Sequence, residues 1–107
     1  MAECAQNSNL LHVVLNNGAH DSVGGQPTAA LRINLQKIAD GFGYKQIYQA
    51  RIASEIQKPF TSKLFGSTFF EVFCRRGSRK NLGRPDITPK NNLEQFIKFL
   101  KDQANNV

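Results

Sequence analysis

A three-layer αβα fold built on a parallel sheet is the α/β class that three observations predict. Apolar segments of strand length alternate with segments of helical periodicity along the 107 residues, the order expected when crossover helices join parallel strands with right-handed connections. The first segment, Leu10–Leu15, is an apolar run broken only by His12, as strands covered on both faces are. It stops at Asn16-Asn17-Gly18 and enters a glycine-rich stretch ending at Thr28, the composition of a ligand loop beyond the carboxyl end of such a strand.

Each element has its own justification. Ala2–Ala5 reads as the last turn of a helix, and Gln6-Asn7-Ser8-Asn9 as the turn after it. Strand Leu10–Leu15 and the glycine loop follow. Asn34 can cap a short helix in which Leu35, Ile38, Ala39 and Phe42 recur at helical spacing, with Gly41 and Gly43 as its stop. A second strand spans about Gln46–Ala50. Ser54-Glu55 then offers a cap for a helix with Ile56, Phe60 and Leu64 on one face, although Pro59 beyond the first turn would remove a backbone hydrogen bond. Gly66-Ser67 breaks that pattern before a third strand, Thr68–Cys74, in which Cys74 reads as a small buried hydrophobe. Leu82–Lys90 is a proline-containing loop inside the domain. Asn92 with Gln95 resembles a capping box opening a last helix, striped by Leu93, Phe96, Ile97 and Leu100, with a frayed tail at Ala104–Val107.

Composition narrows the function classes. A chain of 107 residues holds one small domain, near the lower end of the usual range of about 100 to 200 residues. An apolar content of 40% with eight Phe is that of a globular protein. No apolar run approaches the roughly 18 residues of a membrane span, and the start has no secretory pattern. The expectation is a soluble, cytoplasmic protein. Cys4 and Cys74 stand far apart with no His or Cys at metal spacing, which argues against zinc or a disulfide framework. The net charge of +6 gathers at Arg75, Arg76, Arg79, Lys80 and Arg84. That run reads as a solvated face, as a partner for an anionic ligand, or as a nucleic-acid patch. The last is disfavoured because no stacking aromatic is interleaved with it.

By chemistry alone, the Asn16-Asn17-Gly18 loop suits a hard cation or a phosphate: amide and backbone carbonyl oxygens serve the first, glycine-exposed backbone the second. Its wording says more. NNGAHDSVGGQPT (Asn16 to Thr28), with LGRPDITPKNNLEQFIKFL (Leu82 to Leu100), resembles the phosphonopyruvate decarboxylases among the thiamine diphosphate-dependent decarboxylases, and the similarity runs from about Ala5 to Leu100. In that family the Asn-Asn segment is the second half of a thiamine diphosphate and magnesium motif whose first half, Gly-Asp-Gly, lies upstream. This sequence contains no Gly-Asp-Gly. The resemblance therefore implies the carboxy-terminal part of a thiamine diphosphate-binding fold: residues 1–107 would form a partial, diphosphate-side domain lacking its amino-terminal half.

Site residues follow from the resemblance one by one. It implies that Asn17 gives its side-chain oxygen and Ala19 its backbone carbonyl to Mg2+, while Gly18 lets the backbone approach the diphosphate. Asn16 would brace the turn. His20 and Ser22 would line the cofactor site; His20 either orients substrate or relays a proton, or is a structural imidazole in a turn. Asp21 would hydrogen-bond backbone or pair with an Arg, Gly24-Gly25-Gln26 would form a loop over the site, and Thr28 would cap or brace it. His12 reads as a satisfied sheet-face histidine. His20, Asp21 and Ser22 are consecutive, which is not how catalytic triads are built.

The implied activity is decarboxylation of phosphonopyruvate to phosphonoacetaldehyde and carbon dioxide in phosphonate biosynthesis, with thiamine diphosphate and Mg2+ as cofactors. The activating Glu would belong to a missing pyrimidine-binding domain, so the chain alone should be inactive, and its parent a homo-oligomer. Two alternatives stay open: a subunit like sulfopyruvate decarboxylase, and a non-catalytic basic interaction module. A sheet cut at Leu10–Leu15 would expose an edge prone to association.

Overall fold

The computed structural model describes residues 1–63 and 65–105. Contacts divide the chain into two units, Met1–Gly77 and Ser78–Val107. The first holds a parallel sheet of β1 (Leu11–Asn16), β4 (Gln46–Ala50) and β5 (Thr68–Phe73), ordered β1-β5-β4. A two-stranded antiparallel ribbon of β2 (Ala19–His20) and β3 (Gln26–Pro27) follows β1. Helices α1 (Ala2–Ala5), α2 (Leu35–Gly41) and α3 (Lys58–Thr61) complete the unit. The parallel α/β class is as predicted.

The central place of β5 follows from its composition. Thr68, Phe69, Phe70 and Glu71 are all buried, because neighbours flank the strand on both sides and layers cover both faces. Register pairs Phe69 with His12 and Ile47, and Phe70 with Val13 and Tyr48. Since side chains alternate across a strand, Phe69 and Phe70 face opposite layers. Phe69 joins Ala5, Ala39 and Tyr44 in a core that Cys4, Val14, Leu35 and Ile47 extend. Its ring lies 5.5 Å from those of both His12 and Tyr44, edge-on to each. Phe70 instead meets Phe60 of α3, edge to face at 6.3 Å. Helical segments therefore lie on both faces, giving the three layers.

Within the first layer, His12 Nδ1 and the Tyr44 hydroxyl are 2.6 Å apart, so His12 is the satisfied sheet-face histidine expected. Burial pushes the Tyr44 phenol above its ordinary range, and Cys4 beside it adds to the effect. α2 starts where expected: the Asn34 side chain accepts the Lys37 N–H at 2.8 Å. Ala39 is fully buried, whereas Ile38 and Phe42 remain partly exposed.

Two expectations are corrected in the first unit. The predicted helix carrying Ile56, Phe60 and Leu64 is a 3-10 turn at Ala53–Glu55 followed by the single-turn α3. Pro59 explains this, since proline is compatible only with a first turn. It is buried there and the helix ends at Thr61, with Ser62 extended as its C-cap; Leu64 lies outside the described residues. Cys74 is exposed, not buried: β5 ends one residue earlier, so the thiol sits beyond the layers that cover the strand.

In the second unit, α4 runs over Pro89–Asn105, so its cap, Thr88, stands four residues ahead of the predicted cap Asn92. The Thr88 hydroxyl accepts the Asn91 N–H at 3.2 Å and the Thr88 carbonyl the Asn92 N–H at 3.0 Å. Thr88-Pro89 wins because threonine supplies the cap oxygen and proline needs no donor at the first helical position. The predicted fray begins inside α4, which still includes Ala104 and Asn105, while residues 106–107 lie outside the described ones. No helix among the described residues is long and apolar enough to cross a membrane.

Candidate cofactor turn at the carboxyl end of the sheet

β1 delivers Asn16 to the carboxyl end of the sheet, where the chain must turn out of the layer. Asn16 is 4% exposed and is the hub of that turn. Its Oδ1 accepts the Gly18 N–H at 3.1 Å, while its Nδ2 donates to the Ala30 carbonyl at 3.1 Å and to Glu71 Oε1 at 2.6 Å. The other Glu71 oxygen accepts from Gln36 Nε2 on α2. A carboxyl group in the middle of the central strand is thus matched on both oxygens, as burial requires. Sequence reasoning missed Glu71 and Gln36. The available signal was Glu71 itself, a charge-bearing residue inside the apolar run of Thr68–Cys74.

Asn17 is half-buried and faces different partners. Its Oδ1 accepts the Ala19 N–H at 3.0 Å and its Nδ2 donates to Asp21 Oδ2 at 2.8 Å. Gly18 between them is buried with φ +67°, and a Cβ there would come within 2.7 Å of Leu31 Cγ. The positive φ is what selects glycine, since the Leu31 side chain is exposed and can give way. The Thr28 N–H returns to the Gly18 carbonyl at 2.9 Å, and the Thr28 hydroxyl accepts the Ala30 N–H at 3.2 Å. Thr28 therefore braces the loop.

The glycine-rich stretch forms the β2–β3 ribbon, bridged by a 3-10 turn at Asp21–Val23. His20 and Ser22 are exposed on it, and among the described residues neither side chain makes a hydrogen bond. Asp21 takes the backbone N–H of Gly77 at 2.8 Å, the first of the two roles expected of it. Of the basic run, Arg76 approaches the turn, with Nη2 3.5 Å from the Gly18 carbonyl; Arg75, Arg79, Lys80 and Arg84 are exposed. At the end of β4, the Arg51 guanidinium stacks 3.7 Å above the Phe73 ring. The Glu55 carboxylate accepts the Arg51 N–H at 2.8 Å, and this backbone contact, with that of Ile52, holds it below the usual carboxylate range.

Chemically, the turn carries the Asn17 amide oxygen, held on the Ala19 N–H side, beside a close-approach glycine. Amide and carbonyl oxygens are hard donors of the kind magnesium takes, and among the described residues no group of three or more His, Cys, Asp or Glu assembles.

No family model matches the chain. It is 34% identical over 94 residues to a phosphonopyruvate decarboxylase of Streptomyces viridochromogenes, covering 86% of this chain and 24% of that protein. It is 32% identical over 93 residues to a phosphonopyruvate decarboxylase of Streptomyces hygroscopicus, covering 85% of this chain and 23% of that protein. The chain spans about a quarter of the length of these curated relatives. The resemblance read from Asn16–Thr28 and Leu82–Leu100 is thus borne out: over most of its length, this chain is similar to the phosphonopyruvate decarboxylases.

Proposed function

We propose that the chain is the carboxy-terminal part of a thiamine diphosphate- and Mg2+-dependent decarboxylase acting on phosphonopyruvate, and that it supplies one wall of the cofactor site. The observation that carries this reading is the Asn16-Asn17-Gly18 turn, held at the carboxyl end of a parallel strand by the buried Asn16–Glu71 contact, in a chain similar to named phosphonopyruvate decarboxylases. Asn17 and Ala19 hold the cation through oxygen, and Gly18 admits the diphosphate. Bound thiamine diphosphate supplies the electron sink for loss of carbon dioxide. The protein's part is binding and orientation. His20 and Ser22, exposed beside the turn, contact cofactor or substrate, and Arg76 places positive charge where anionic oxygens gather. The remaining ligands and the pyrimidine-binding wall come from sequence outside these 107 residues.

The test uses this chain alone and joined in frame to the amino-terminal three quarters of the Streptomyces viridochromogenes relative. The chain alone should release no carbon dioxide from phosphonopyruvate with thiamine diphosphate and Mg2+. The fusion should release it, and Asn17→Ala should weaken cofactor binding in the fusion far more than Asn16→Ala, because it removes a direct ligand. A folded, inactive fusion, or turnover by the chain alone, would sink the reading. Activity on sulfopyruvate in place of phosphonopyruvate would move it to the alternative substrate.

A further inference from the structure

Asp21 is not among the ligands assigned above, yet its Oδ2 accepts two N–H groups: Asn17 Nδ2 and the backbone N–H of Gly77, each at 2.8 Å. The first partner lies on the loop leaving β1. The second lies beyond β5, at a residue with φ +86°, where a side chain would be strained. One carboxyl oxygen therefore ties the cofactor turn to the exit of the central strand.

A carboxamide head is nearly symmetric in shape, and its hydrogen-bond partners decide which end carries the oxygen. For Asn17 the two ends meet opposite demands. Asp21 oxygen requires a donor, and the Ala19 N–H, 3.0 Å from Oδ1, requires an acceptor. Turning the head over would set oxygen against oxygen and N–H against N–H. We propose that Asp21 is a positioning residue that locks the Asn17 carboxamide in one orientation, oxygen on the Ala19 side, so that the cation meets a pre-oriented ligand. Its functional consequence rests on the reading of Asn17 as a cation ligand. Pre-orientation matters because an amide free to rotate presents nitrogen, which cannot ligate, for part of the time.

The experiment uses the 15N-labelled chain as wild type, Asp21→Ala and Asp21→Asn, with Asn17→Ala to assign the side-chain signal. Without metal, exchange of the Asn17 side-chain amide protons should speed up by about three- to tenfold in Asp21→Ala, the range set by one hydrogen bond of ordinary net strength, and the Gly77 amide resonance should move. Asp21→Asn should rescue both, since its amide oxygen accepts as the carboxyl oxygen does. With MnCl2 as probe, paramagnetic broadening at Ala19 should fall by a similar factor in Asp21→Ala and persist in Asp21→Asn. Unchanged Asn17 exchange in Asp21→Ala overturns the lock. Failure of Asp21→Asn to rescue also overturns it, because charge or direct ligation would then explain the effect. No broadening near Asn17 in the wild-type chain overturns the ligand reading alone, and the metal-free comparison still decides the lock.

Discussion

Asn16 and Asn17 are chemically identical neighbours with separate duties, and the difference is burial. Asn16 satisfies Glu71 inside the sheet, whereas among the described residues Asn17 bonds within the loop, to Ala19 and Asp21. Asn16→Ala should therefore destabilise the first unit by about 1–3 kcal/mol, the cost of leaving a buried polar partner unmatched. Glu71→Gln should cost a similar amount, because the new NH2 must face a donor, Asn16 or Gln36. Asn17→Ala should shift denaturation midpoints far less, and urea titrations of the three variants check the order. Tyr44 gives a pH dependence of known sign. Its folded pKa is raised by burial, so its contribution is fully present below the unfolded value of about 10 and is lost as pH rises through the folded value. Thermal melts between neutral and strongly alkaline pH should show this loss, and Tyr44→Phe should remove that component of it.

Among the elements, helices were legible where a cap and a stripe agreed and misread where they competed. Asn34 caps α2 as its sequence implies, but Pro59 limits α3 to one turn and Thr88-Pro89 opens α4 ahead of Asn92. Thr88→Ala should destabilise the start of α4 by about 1 kcal/mol, the usual worth of an N-cap side chain. Faster amide exchange at Asn91 and Asn92, with the sheet amides unchanged, is the expected readout. The Lys90–Glu94 contact, at 4.0 Å between exposed side chains, should contribute little, because solvent screens it. Lys90→Ala should leave the same amides unaltered. Near Glu55, the lowered pKa implies that its contribution is present above the unfolded value and is lost as pH falls through the folded one. Loss of the ordered Ala53–Glu55 turn on acidification should appear in the Arg51 amide shift.

For the molecule as a whole, the sheet order puts β1 at an edge. Val13 and Leu15 on that strand are 42% and 70% exposed, and unpaired backbone groups beside apolar side chains favour pairing with another chain. The 107-residue chain should therefore self-associate despite its charge of +6. Light scattering over a concentration series should show mass growing beyond the monomer, and Leu15→Lys should suppress it. A strictly monomeric wild-type chain at high concentration would refute this.

The sequence by itself determined the class of fold, the strand segments, the cap of α2 and the special wording of Asn16–Thr28, because each is a local pattern: apolar runs, capping oxygens and glycines act within a few residues. It also foresaw that Asn16 braces and that His12 is satisfied. Tertiary structure alone decided what depends on partners distant in the chain. The strand order β1-β5-β4, the match of Glu71 with Asn16 across 55 positions and the reach of Asp21 to Gly77 are contacts of that kind. So is the exposure of Cys74, which depends on where the covering layers end and not on its apolar neighbours in sequence. Periodicity reports which face of an element is apolar; what meets that face, and which polar group must be satisfied there, is fixed only when the layers close.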